Sequence, residues 1–262
     1  MDEVVLQGGV ANAGAVVRQG DHVLRPSNQH SATIHGVLQA LRSQGFDGAS
    51  SPVGIDDDGR ERLEFIDGDV PLPPYPEWVR TDEALVSIAV LIRRMHDASV
   101  GVDLATGTWS VEMADPLGGP VLCHNDVCLE NVVFRDGVAV ALLDFDFAAP
   151  GRRVFDVASF ARMCVPIDDH VNAARFGWPE QDLPRRLRLV ADTFDLDTDD
   201  RRELVAIIGR TIEMGGAFVR RRVEAGDPGF IKMWAEMGGA ERFDRRRRWW
   251  AASRPDFEAA LE

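Results

Sequence analysis

The chain has 262 residues, 45% of them hydrophobic, and a formal net charge of -14 at pH 7. That length supplies an ample core for one large domain or two lobes, and the negative charge argues against nonspecific nucleic-acid binding while favouring cationic ligands through the long-range field. No apolar run is long enough to cross a bilayer as a helix, and MDEVVLQGG has no basic region before its short apolar run, so neither a membrane partner nor a secretory signal is expected.

Residues 4–6 are apolar and lead into a glycine-rich stretch containing Gly8, Gly9, Asn12 and Gly14. Residues 15–18, a Gln-Gly-Asp turn and residues 22–25 follow, so the segment reads as strand, loop, strand, turn, strand. Small residues let such a loop bring its backbone N–H groups close to phosphates. Residues 31–44 place Ile34, Val37, Leu38 and Leu41 at three-four spacing before Gly45, the pattern of an amphipathic helix with a stop. Residues 52–55, an Asp56-Asp57-Asp58-Gly59 turn and residues 62–66 add two strands to the same sheet. Phe65-Ile66-Asp67-Gly68, followed by VPLPPYP, marks a proline-rich connector.

Thr81-Asp82 begins a long helix with an apolar face from Leu85 to Met95, and residues 100–120 form a loop. The stretch 121–148, VLCHNDVCLENVVFRDGVAVALLDFDFA, carries the chemistry. His124-x-Asp126 is followed five residues later by Asn131, and a further apolar run ends in Asp144-Phe145-Asp146. The Asp136-Gly137 pair between two β-branched runs is a strong hairpin signal. Such a hairpin brings Asn131, at the start of one strand, near Asp144, at the end of the other. Two carboxylates and an amide at one hairpin mouth suit Mg²⁺ and a proton acceptor. Asp156 starts a helix where N-capping is expected. The rest is helical, over residues 183–194, 200–224 and 231–250, with Thr198, Asp199 and Asp227 as start signals and an Arg245–Arg248 face beside inward-packed Trp249 and Trp250.

This ordered set, H-x-D-x-x-x-x-N and then apolar-D-x-D, resembles the catalytic segment of the aminoglycoside phosphotransferase and choline kinase-like family, relatives of the protein kinases. The resemblance implies an α+β, two-lobed protein kinase-like fold. Residues 1–67 would be the small antiparallel sheet lobe that binds nucleotide, and residues 68–262 the larger, mostly helical lobe for catalysis and substrate. It implies Asp126 as the base for the acceptor hydroxyl, and Asn131 and Asp144 as Mg²⁺ ligands on the phosphates of ATP or GTP. Gly8, Gly9 and Asn12 would belong to the phosphate loop, Arg25 would stand for the third-strand basic residue, and Phe65, Ile66 and Asp67 would face the adenine edge. His124 and Asp156 would support the catalytic loop. The helix over 31–44 departs from the kinase pattern, because it has no acid to orient Arg25 and offers only His35.

The expected activity is phosphoryl transfer to a hydroxyl of a small molecule, with a nucleotide-binding pseudoenzyme as the alternative. An amine on the acceptor fits the acidic composition, and Asp168, Asp169 and Glu213 are the candidate carboxylates for it. Cys123, Cys128 and Cys164 have no disulfide framework or paired zinc spacing, which suits a reducing cytoplasm. Lys232 is the only lysine, so neither Schiff-base chemistry nor a Walker-type phosphate loop is available.

Overall fold

The computed structural model describes residues 3–6 and 14–262. Gly8, Gly9 and Asn12 lie outside the described residues. The architecture is α+β and two-lobed, with a small antiparallel sheet and a larger helical part. The sheet contains β1 (Val4–Val5), β2 (Val17–Gln19), β3 (His22–Pro26), β4 (Pro52–Ile55) and β5 (Arg60–Glu64). Its order is β1-β2-β3-β5-β4, and every neighbouring pair is antiparallel. Helix α1 (Ser31–Ser43) connects β3 to β4 and buries Ile34, Val37, Leu38 and Leu41, the stripe its spacing predicts.

Helix α2 (Asp82–Ser99) starts where the Thr81 hydroxyl accepts from the Ala84 N–H at 3.1 Å. Beyond it, β6 (Val121–Cys123) pairs with β9 (Ala149–Gly151), and between them β7 (Val132–Arg135) and β8 (Val138–Leu142) form the hairpin. Asp136 and Gly137 have φ of 52° and 77°, the two left-handed positions of a tight hairpin turn. The helices α3 (Arg153–Cys164), α4 (His170–Arg175), α5 (Leu183–Thr193), α6 (Thr198–Glu224), α7 (Pro228–Met237) and α8 (Gly239–Leu261) complete the fold.

Three helical expectations change. The single helix over 231–250 is two, because Gly238 and Gly239 adopt φ of 92° and 58° and turn the chain. Helix α6 is capped by Asp197, whose carboxylate accepts from Asp199 and Asp200. Asp156 does not cap a helix; it sits inside the first turn of α3, and its carboxylate points elsewhere.

The lobes meet along backbone contacts. Asp69 and Phe134 exchange two N–H···O bonds of 2.8 Å, which fix the connector to the hairpin. The Gly48 carbonyl accepts from the Leu142 N–H at 2.9 Å, and a Cβ at Gly48 would meet Leu91 Cδ1 at 2.5 Å. Only glycine lets the loop after α1 lie this close to α2.

Candidate active site

The catalytic loop leaves β6 at His124. His124 Nε2–H donates to the Leu143 carbonyl at 2.9 Å, and the ring packs 4.6 Å from Phe145. Burial pushes the His124 pKa down, so the ring stays neutral while it ties the loop to the end of β8. Asn125 adopts φ 65°, a conformation that asparagine tolerates better than most side chains. Asp156 holds this bend from below. Its Oδ1 accepts from Asn125 N–H at 2.8 Å, and its Oδ2 accepts from His124 N–H at 3.0 Å and His96 Nε2–H at 2.8 Å. Asp156 is fully buried; desolvation favours its neutral form, but the hydrogen bonds from His96 and the two amides outweigh that and lower its pKa.

Asp126 follows at the loop apex, half-buried. Its carbonyl accepts from Asn131 Nδ2 at 3.0 Å, and the Asn131 carbonyl accepts from the Leu143 N–H at 2.8 Å. These bonds bring Asp126, Asn131 and Asp144 to one mouth. Burial, reinforced by the Asp144 charge, pushes the Asp126 pKa up to about 7, while Arg162 pulls it the other way. A carboxylate poised there can accept a hydroxyl proton near neutral pH. Asp144 adopts φ 61° and ψ 70°, which turns the chain into a 3₁₀ turn, Phe145–Phe147. The oxygens at this mouth suit Mg²⁺: the Asn131 amide nitrogen is committed to Asp126, leaving its oxygen available, and Asp144 and Asp146 each keep a second carboxylate oxygen without a hydrogen bond among the described residues.

Arg25 joins the sheet to this mouth. Its guanidinium donates to Asp144 Oδ1 at 3.1 Å and to Asp146 Oδ1, and its Nε lies 3.7 Å from Glu61 Oε2. Arg25 and Glu61 are direct cross-strand partners on β3 and β5. Burial opposes the charge on Arg25, but Asp144, Asp146 and Glu61 together outweigh it and raise its pKa. Helix α1 contributes through Glu61: the Ser31 hydroxyl donates to it, and His35 Nε2 lies 3.6 Å away. The acid that the helix lacks is therefore supplied by a strand.

With this geometry, the chain can be compared with known proteins. The profile of the phosphotransferase enzyme family, APH, matches residues 109–190. The trifolitoxin immunity protein of Rhizobium leguminosarum bv. trifolii is 31% identical over 206 residues, which cover 76% of this chain and 77% of that protein. The chain belongs to the phosphotransferase enzyme family. Its fold matches a choline/ethanolamine kinase family protein from Mesorhizobium loti with a TM-score of 0.63, at 14% identity, covering 100% of this chain and 92% of the other. It also matches APH(2")-IIa, solved with streptomycin and ATP, with a TM-score of 0.54 at 12% identity, covering 93% of each chain.

Elsewhere in this phosphotransferase the candidate residues are more scattered. Phe65 and Ile66 are half-buried in the connector, with the Arg18 guanidinium 3.7 Å over the Phe65 ring; the exposed Asp67 offers its carbonyl to Arg135 Nε at 2.9 Å. The three carboxylates considered for an amine are already engaged. Asp168 accepts from Asn172 Nδ2 at 2.7 Å and lies 3.6 Å from Arg242 and 3.5 Å from Arg246. Asp169 caps α4 and binds Arg245 at 2.7 Å, and Glu213 lies 3.8 Å from Arg247. The Arg245–Arg248 face is not wholly solvated, since Arg246 is buried one turn before Trp250.

Glu61, Ser31, His96 and Arg162 escaped the sequence reading. Glu61 is flanked by arginines in a strand, and only the register of β5 on β3 reveals its partner. His96 stands next to Asp97 in the chain, yet it bonds Asp156 across the core. The three cysteines are free. His96, Cys123 and Asp156 gather within 4.8 Å, but the Asp156 oxygens already accept three hydrogen bonds, which explains the cluster without an ion. Among the described residues, no helix is long and apolar enough to cross a membrane.

Proposed function

We propose that this phosphotransferase moves the γ-phosphoryl group of ATP or GTP to a hydroxyl of a small molecule in the cytoplasm. The observation that carries the reading is the convergence of Asp126 with the oxygens of Asn131 and Asp144, tied by Asn131 Nδ2 donating to the Asp126 carbonyl at 3.0 Å and by the Leu143 N–H donating to the Asn131 carbonyl. The acceptor oxygen forms its bond to the γ-phosphorus as the bond to the bridging oxygen breaks. The hydroxyl proton passes to Asp126, and the nucleoside diphosphate leaves with the bridging electrons. Asn131 and Asp144 would hold Mg²⁺, which supplies charge neutralisation for the phosphates when bound. Arg25, anchored by Glu61, presents a further positive charge to the same region. Most of the catalytic contribution is positioning and electrostatics. ATP in the ternary complex of a structural neighbour supports the choice of co-substrate, and the immunity named for the 31% identical relative makes antimicrobial compounds worth including among acceptors.

The test is nucleotide turnover against a library of hydroxylated metabolites and antibiotics, with and without Mg²⁺. Acceptor-dependent release of diphosphate supports the assignment; none across the library, with no Mg²⁺-dependent nucleotide binding, removes it. One observation favours a nucleotide-binding pseudoenzyme as the second reading: the Arg25 guanidinium spans one oxygen each of Asp144 and Asp146. Nucleotide binding indifferent to Mg²⁺, without turnover, selects that reading.

A further inference from the structure

Arg162 lies in α3, 8% exposed. Its Nε is enclosed without a hydrogen-bond partner, and among the described residues no nitrogen of its guanidinium takes part in a hydrogen bond or ion pair. A buried arginine normally has its five N–H donors answered, because an unpaired buried charge is costly. Asp126 and Asp168 favour its charge from a distance, but neither pairs with it. Arg242 and Arg246 approach the single carboxylate of Asp168 at 3.6 and 3.5 Å, and the Asp169 carboxylate pairs with Arg245. Burial and the Arg246 charge push the Arg162 pKa down to about 10, so the group is still a cation at neutral pH.

Two contacts set α3 between the loop that carries Asp126 and helix α6. The Cys164 thiol, two residues further along α3, donates to the Val127 carbonyl at 3.5 Å, so this end of the helix lies against the residue after Asp126. Opposite, α6 presents Gly215, where a Cβ would come within 3.1 Å of Arg162 Nη1. Glycine is unfavourable inside a helix, and here it clears room for the guanidinium. The charges of Arg162 and Asp126 also act on each other.

We propose that Arg162 binds an anionic group of the phosphoryl acceptor, a carboxylate or a phosphate, and holds the acceptor hydroxyl toward Asp126. The idea deepens the kinase reading by naming an acidic alcohol as its acceptor class. It also replaces the amine expectation, since Asp168, Asp169 and Glu213 already face arginines. An anion at Arg162 would pair the guanidinium that Asp168, already approached by Arg242 and Arg246, leaves without an ion pair. It would also supply charge-assisted hydrogen bonds, which are the strong ones.

The experiment uses the full chain and two substitutions, Arg162→Met and Gly215→Ala. Inorganic sulfate is titrated by calorimetry at constant ionic strength, with chloride as the balancing salt. Wild type should bind sulfate, Arg162→Met should lose that binding, and Gly215→Ala should weaken it by crowding Nη1. Arg162→Met should melt no lower than wild type, because it removes a guanidinium whose enclosed Nε has no hydrogen-bond partner. A lower melting temperature with unchanged sulfate binding would mark a structural arginine and overturn the proposal. In turnover assays with Mg²⁺ and ATP, hydroxy acids should be preferred over their amides. Arg162→Met should raise KM for the acid on the order of ten- to hundredfold, with KM for ATP unchanged. Equal use of acid and amide by wild type overturns the proposal and leaves the kinase reading standing. Arg162-dependent sulfate binding with no Mg²⁺-dependent nucleotide binding leaves the anion site standing and removes the kinase reading.

Discussion

His96 donates from Nε2 to Asp156 Oδ2 at 2.8 Å, with neither side chain exposed, and so links α2 to the helix beneath the catalytic loop. Asp156 spends its remaining acceptor capacity on the amides of His124 and Asn125. The loop conformation therefore rests on one buried carboxylate, which must be ionised to accept all three bonds.

Replacing Asp156 with alanine should destabilise the fold by about 3 kcal/mol or more, because three buried donors lose their acceptor at about 1–3 kcal/mol each. The folded-state pKa lies below the ordinary 3.8, so the contribution is full above 3.8 and is lost as pH falls through the folded value. Chemical denaturation at pH 7 and in acid checks this: the gap between wild type and variant should narrow in acid.

Asp126→Asn should keep nucleotide affinity and lose turnover by on the order of 10²–10⁴-fold. Wild-type kcat/KM should rise with pH through a limb near 7, where Asp126 loses its proton. A raised carboxylate pKa also means that ionisation opposes folding. The variant should therefore melt above wild type at pH 8, with the difference disappearing below pH ~4. Thermal melts across pH test that sign independently of any acceptor.

Asp144→Ala should abolish the Mg²⁺ dependence of nucleotide binding, and Asn131→Ala should weaken it, since each removes an oxygen donor. Calorimetry with and without Mg²⁺ reads both. Unchanged metal dependence in Asp144→Ala would place the ion elsewhere.

Arg25→Lys should raise the KM for nucleotide roughly tenfold or more. A lysine ammonium is a point charge and cannot span Asp144, Asp146 and Glu61 as the planar guanidinium does. Glu61→Gln should act in the same direction and more weakly, because it frees Arg25 without removing it. Steady-state kinetics at saturating acceptor separates these effects from losses in kcat.

The convergence of the candidate site was readable because its parts are close in sequence. Asp126, Asn131 and Asp144 are brought together by one hairpin, and Asp136-Gly137 fixes that hairpin by turn chemistry alone. The helices were readable where an apolar stripe repeated, as in α1 and α2. The break at Gly238 was hidden, since the apolar spacing continues through it and only the pair of left-handed glycines stops the helix. Glu61, His96 and Arg162 were illegible for a different reason. Each acts on a residue far away in the chain, through strand register or helix packing that no local pattern encodes. Composition is silent on such groups: a net charge of -14 says nothing of a single buried arginine.

Arg25 has a practical consequence for finding such enzymes in mixtures. Reagents that carry an acyl phosphate on ATP report kinases by acylating a lysine amine in the nucleotide cradle. The residue proposed for that position here is a guanidinium, which is a poor acyl acceptor, and the chain's one lysine, Lys232, stands on α7 with 76% of its side chain exposed and its Nζ 4.0 Å from Glu236. Labelling should therefore fall on Lys232 and be insensitive to competing ATP, so a lysine-directed survey would pass over this phosphotransferase, while arginine-directed dicarbonyls would be blocked at Arg25 by bound nucleotide.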